Sequence, residues 1–139
     1  MKSDQDLFNE LSYYTLAHSD PGFIHQNAVD AFTAQHADDS SKPIAVVFAL
    51  VGLYLHLEKG YTGKQVQRAH MQMAKVRKHW AKLPQPEFRG DVTVRDIVAA
   101  PPGTARDAMI HTWCESVWKA WEATRESVKA IVKDELGIS

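Results

Sequence analysis

Three histidines, His18, His25 and His56, are the residues of this chain whose type and spacing could do chemistry together. Seven histidines in 139 residues are also its one compositional oddity. His18 ends a first amphipathic stretch, residues 4–18, where Leu7, Leu11, Tyr14 and His18 repeat at i, i+4, i+7 and i+11, one helical stripe. A second stretch, from Pro21 to His36, carries His25, Val29, Phe32 and His36 at the same spacing. His25 and His36 share a face but lie ~16 Å apart at 1.5 Å per residue, too far to share an ion. His56 belongs to the last turn of a third stretch. Short connections make successive helices antiparallel neighbours, which puts His18, His25 and His56 at one end of a bundle, with His70 at its flank. Three inward imidazoles from three helices suit a divalent metal such as zinc, with positions left open for water. Hydrolysis by a metal-activated water would be the corresponding chemistry. The competing reading makes each imidazole a separately hydrogen-bonded core or rim residue, which requires no function.

The elements that must position these residues are helices. Pro43–Leu57 carries no charge and one clearly polar side chain, His56. A helix apolar on every side is either in a membrane or enclosed by other helices. This run is shorter than the ~20 residues of a membrane span, so it is read as enclosed, with no membrane partner. Ala45, Ala49, Gly52 and His56 form its small face, and Gly60 suits its C-terminal cap. Thr62 opens a fourth helix, in which Val66, Ala69, Met73, Val76, Trp80 and Leu83 keep a coiled-coil-like spacing. Lys64, Arg68, Lys75, Lys78 and Lys82 lie opposite that seam, and Pro84 and Pro86 end the helix. Thr93 with Asp96 predicts a short capped helix over 94–100, broken by Pro101-Pro102-Gly103. Thr104 with Asp107 predicts a second capping box and a last helix reaching Leu136, with a broad apolar face built on Ile110, Trp113, Val117, Trp121, Val128 and Ile131.

Further candidates are weaker in kind. His36, Trp113, Trp118 and Trp121 are pocket candidates, although a tryptophan cluster is more often core. Asp30 points about 140° from His25 around its helix and is assigned a surface or capping-type role, and Asp20 a helix cap. Cys114, on the apolar arc, reads as an inert buried thiol and allows no internal disulfide. A net charge of −1 gives no global pull toward nucleic acid, so the basic side of the fourth helix reads as a solvated face. The polar, partly acidic amino terminus is unlike a secretory signal, and a cytoplasmic protein is the expectation.

Four segments, in order and spacing, resemble the domain-of-unknown-function 5946 family of bacterial proteins. They are His25-Gln26-x-x-Val29-Asp30-Ala31-Phe32-x-x-Gln35-His36, Val51-Gly52-Leu53-x-Leu55-x-Leu57-Glu58, Thr93-Val94-x-Asp96-Ile97, and Trp113-x-x-Ser116-Val117-Trp118-x-Ala120-Trp121. The resemblance spans about residues 12 to 132. It implies a small helical protein and no particular activity. Many of the proteins it resembles also begin with a cysteine pair, carry a histidine in mid helix three and place a His-His pair after the last tryptophan. This chain has no amino-terminal cysteine, Phe48 and Ala49 at mid-helix, and Thr124-Arg125 in place of the pair. His25 and His36 are left as its best-matched polar positions.

The expectation is a single all-α domain over residues 1–139: an up-down bundle of four to five main helices with one extra short helix. The function expected is a binding protein or enzyme with a histidine-lined metal or small-ligand site at one end, metal held by His18, His25 and His56. The alternative is a non-catalytic interaction or oligomerisation module, a homodimer built on the helix-four seam and the tryptophan-rich last helix. No motif names a catalytic residue, a cofactor-binding residue or a substrate.

Overall fold

The computed structural model describes residues 1–18, 20–76 and 79–139. It is all-α, with no strand among the described residues. The first helix, α1 (Asp4–Ala17), starts from Ser3, whose hydroxyl accepts from Asp6 N at 3.1 Å while Asp6 returns the bond to Ser3 N. The next helix, α2, runs Ile24–Gln35, three residues later than Pro21. Ser19 of the connecting turn lies outside the described residues. Asp20 caps from further out than expected: its carboxylate accepts from Gly22 N at 3.0 Å and from Ile24 N. Phe23 between them is left-handed, at φ 56°. The start of α4 (Gly63–Val76) docks on this turn, with Lys64 N donating to Gly22 O at 2.9 Å. A Cβ on Gly63 would run into the Phe23 carbonyl, so the close approach needs a glycine.

The apolar run forms α3 (Pro43–Lys59), closed by Gly60 in the left-handed conformation at φ 71°. Val46, Val47, Leu50, Val51, Leu53 and Leu55 are buried in it, along with Ala49 and Gly52 of the small face; Ala45, in the first turn, faces solvent instead. The wrapping is done by α2, α4, the sixth helix α6 (Thr104–Ala120) and the seventh, α7 (Arg125–Leu136). The short helix α5 (Val94–Ala99) rests on α1 and α6, and Asp96 accepts from Thr93 N at 2.9 Å as its capping box requires.

Two expectations about helix ends are corrected. The fourth helix does not reach Leu83: residues 79–83 are not helical, and Arg77 and Lys78 lie outside the described residues. Pro84 disfavours helical backbone at Leu83. Trp80 and Leu83 are nevertheless buried, Trp80 edge-on against Phe48 with ring centroids 5.3 Å apart. The apolar spacing reported burial there and not helix. The last helix breaks into α6, a 3-10 turn over Glu122–Thr124, and α7. Thr124 Oγ1 donates to Trp121 O at 2.9 Å, competing with the helical ladder at the break, and the turn lets α7 pack back on α3 and α4.

The extended link before α5 is tied down by two side chains. Arg89 lays its guanidinium against carbonyls at and just past the end of α2, with Ala37 O at 2.8 Å and Ala34 O at 3.3 Å, and stacks over Trp121. A cation at a helix C-terminus also meets the negative end of the dipole. Gln35 is buried, and its amide donates to Val92 O at 2.7 Å and Arg89 O at 3.1 Å while accepting from Trp113 Nε1 at 2.9 Å.

Candidate functional site

The three histidines expected to share a metal find separate partners. His25 Nδ1 lies 2.9 Å from Thr15 Oγ1; both atoms are paired when the imidazole donates there and the hydroxyl donates to Leu11 O at 3.1 Å. Burial lowers the His25 pKa. His18 is exposed, stacks on Tyr14, and sets Nε2 at 3.6 Å from Asp107 Oδ2. His56 donates from Nδ1 to Tyr61 O at 2.7 Å, and its ring stands edge-on to His111 at 5.5 Å. Among the described residues no group of three or more His, Cys, Asp or Glu side chains could hold a metal ion. The reason lies in α6, which the antiparallel argument left out. It offers Asp107 to His18 and, one turn on, His111 to His56, so the two imidazoles meet α6 instead of each other. His70, at the flank, donates from Nε2 to Phe48 O at 2.6 Å.

Asp107, His111 and Glu115 repeat at i, i+4 and i+8 along α6, a polar row legible in the sequence but not singled out there. At one end Asp107 Oδ1 accepts from the Tyr14 hydroxyl at 2.9 Å, which itself accepts from Gly103 N at 2.8 Å. That corrects the capping-box expectation for Asp107: Gly103, at φ 99°, occupies the cap position, and the carboxylate serves Tyr14 and His18.

At its other end the row opens into a groove of about 700 Å³ between the end of α3, α6 and the start of α7. Leu57 and Trp118 form apolar wall, and His111, Glu115 and Glu58 line the polar side. Glu58 holds both oxygens in use: Trp118 Nε1 donates to Oε2 at 2.7 Å and Arg125 Nη2 to Oε1 at 2.6 Å. Four carboxylates, Glu58, Glu115, Glu122 and Glu126, face two cations, Lys119 and Arg125, around the opening. Of the pocket candidates, Trp118 therefore lines a groove. Trp113 and Trp121 are core instead, fully buried with their N–H groups on Gln35 Oε1 and Ala34 O. His36 caps α2 away from the groove, with Nδ1 3.0 Å from Phe32 O and Nε2 3.0 Å from Asp4 Oδ2.

Asp30 is not on the surface. It is 3% exposed, at the crossing of α2 with α3, because α2 is itself enclosed: Asn27, Ala28, Ala31, Ala34 and Gln35 are buried with it. Gln26 donates to Oδ1 at 3.0 Å, while Asp30 Oδ2 and Asn27 Oδ1 have no hydrogen-bond partner among the described residues. Burial pushes the Asp30 carboxyl well above its ordinary 3.8, against the smaller opposing effect of the Gln26 bond. Cys114 is buried nearby, and burial, with Asp30 adding to it, pushes its thiol up, as an inert cysteine requires. A group protonated when folded and ionised when unfolded makes stability fall as pH rises from about 4 until the folded carboxyl itself titrates. Asp30→Asn removes that slope, and its advantage over the natural protein grows across the same window to about 1–3 kcal/mol, the scale of a buried group left unpaired. Urea melts of both proteins from pH 4 to pH 9 check this; parallel profiles contradict it.

These features define a small helical-bundle protein with a polar row leading into a groove. The chain belongs to a family of unknown function, DUF5946, whose model matches residues 4–122. No curated protein and no solved structure matches it. No helix among the described residues is long and apolar enough to cross a membrane.

Proposed function

We propose that this protein binds a small molecule in the groove between α3, α6 and α7, with His111, and His56 behind it, as the histidine-lined side of the site. The observation that carries this is the groove itself. Its volume of about 700 Å³ falls within the ~300–1,000 Å³ of small-molecule sites, and it joins an aromatic wall to a few convergent polar groups. The indole of Trp118 and the carboxylate of Glu58 hold each other in place, so the wall is preorganised before anything binds.

A thermal-shift screen of small cations, anions and neutral heterocycles tests the reading, with Leu57→Trp as the blocking variant. Leu57 is half-buried on the groove wall, so the larger ring fills the space without replacing a core residue. The expected result is a set of compounds that stabilise the natural protein and lose that effect in Leu57→Trp. Ligands that stabilise both proteins equally bind elsewhere, and an empty screen ends the proposal.

A further inference from the structure

The Arg125–Glu58 contact is where the groove says most about its ligand. Glu58 is set into the wall, its side chain 24% exposed, and is fixed from behind by Trp118, which is only 9% exposed. Its second oxygen is met by a residue of a different kind. Arg125 is the first residue of α7, its side chain is 54% exposed, and it reaches Glu58 from the solvent side. Exposed ion pairs of this sort contribute little net stability, since each partner is well solvated when apart. The carboxylate is thus permanent and its cation exchangeable. The lining carries two more carboxylates than cations, so a positive ligand is drawn in and a negative one repelled.

Resting on the reading of the groove as a ligand site, we propose that its ligand is a small organic cation, a guanidinium or primary ammonium on a short aliphatic stem. Its head takes the place of Arg125 on Glu58. Arg125 is then a built-in placeholder that competes with the ligand. A guanidinium head can pair with Glu58 as Arg125 does, and the stem lies on Leu57 and the Trp118 ring. A second positive group at the far end of the stem meets the carboxylates at the mouth, Glu115 or Glu122.

Agmatine, which carries guanidinium and ammonium on one aliphatic chain, is the probe, titrated by calorimetry at low and at physiological salt. The natural protein is expected to bind it. Glu58→Gln is expected to weaken binding by about tenfold, since the charge-assisted hydrogen bond from the ligand head to the carboxylate is lost. Arg125→Ala is expected to tighten it by about two- to fivefold, the scale of an exposed ion pair that no longer competes. Glu126→Gln, at the mouth, is expected to change it less than Glu58→Gln. Circular-dichroism melts of each variant establish that it is folded. The proposal is overturned if Arg125→Ala binds agmatine no better than the natural protein, if Glu58→Gln binds equally well, or if all carboxylate variants lose affinity alike, which would mean diffuse attraction. Neutral or anionic compounds that occupy the groove while agmatine does not would sink this proposal and leave the groove reading standing. No ligand of any charge would sink both.

Discussion

Gln35→Ala is expected to cost roughly 2–3 kcal/mol, because it strands one buried and two part-buried polar groups at once. The Trp113 indole N–H loses its acceptor, and the carbonyls of Arg89 and Val92 lose their donor. Trp113 is fully buried, so no solvent replaces the lost bond, and a cavity is left where the amide stood. Gln35→Glu separates the two halves of this role. A carboxylate can still accept from Trp113 but cannot donate to the two carbonyls, so it too is strongly destabilising. Urea denaturation of both variants measures the effect; a loss under about 1 kcal/mol for Gln35→Ala would mean that the link before α5 is held by Arg89 alone.

Gly52→Ala is the second large effect, and its sign runs against local propensity. Alanine favours an exposed helix interior over glycine by about 1 kcal/mol. Here a Cβ would run into Asp30 Oδ2, lie 2.6 Å from Asp30 Cγ and 3.1 Å from Val66 Cγ1. The helices α2 and α3 must separate to admit it, and overpacking of this kind costs about 1–3 kcal/mol. The crowding atoms belong mainly to one carboxylate, which makes the cause testable. In an Asp30→Ala background only Val66 Cγ1, at 3.1 Å, still crowds the new Cβ, and the same substitution is expected to cost much less than it does beside Asp30. A double-mutant cycle with additive effects would show that Asp30 is not what Gly52 accommodates.

The enclosed helix was legible because it lacks charge on every face, and that pattern has few soluble solutions. Short connections predicted His18, His25 and His56 at one end, but consecutive-helix reasoning is blind to which later helix packs beside them, and α6 offers Asp107 to His18 and His111 to His56. Asp30 was misplaced for a related reason. An angle on a helical wheel indicates the surface only when the helix has one free side, and α2 has little. The apolar spacing through Trp80 and Leu83 identified buried side chains correctly but could not distinguish a helix from an extended segment anchored at the same points. Glu58, Trp118 and Arg125 stand 60 and 67 positions apart, and nothing local in the sequence announces a contact made by packing. The family segments are explained largely by structure: Gln35 with Trp113, Trp121 with Ala34, and Thr93 with Asp96 are fastenings, while Glu58 and Trp118 also face the groove.

The claim that the groove is a ligand site is tested most directly by the indole N–H resonances of the four tryptophans during titration with compounds from the screen. Trp118 donates to Glu58 in the groove, whereas Trp113 and Trp121 donate to buried acceptors in the core and serve as internal references. A ligand seated in the groove is expected to give a saturable shift at Trp118, accompanied by the His111 ring protons, with Trp113 and Trp121 unmoved. A ligand that shifts the core indoles and leaves Trp118 where it was would contradict the claim.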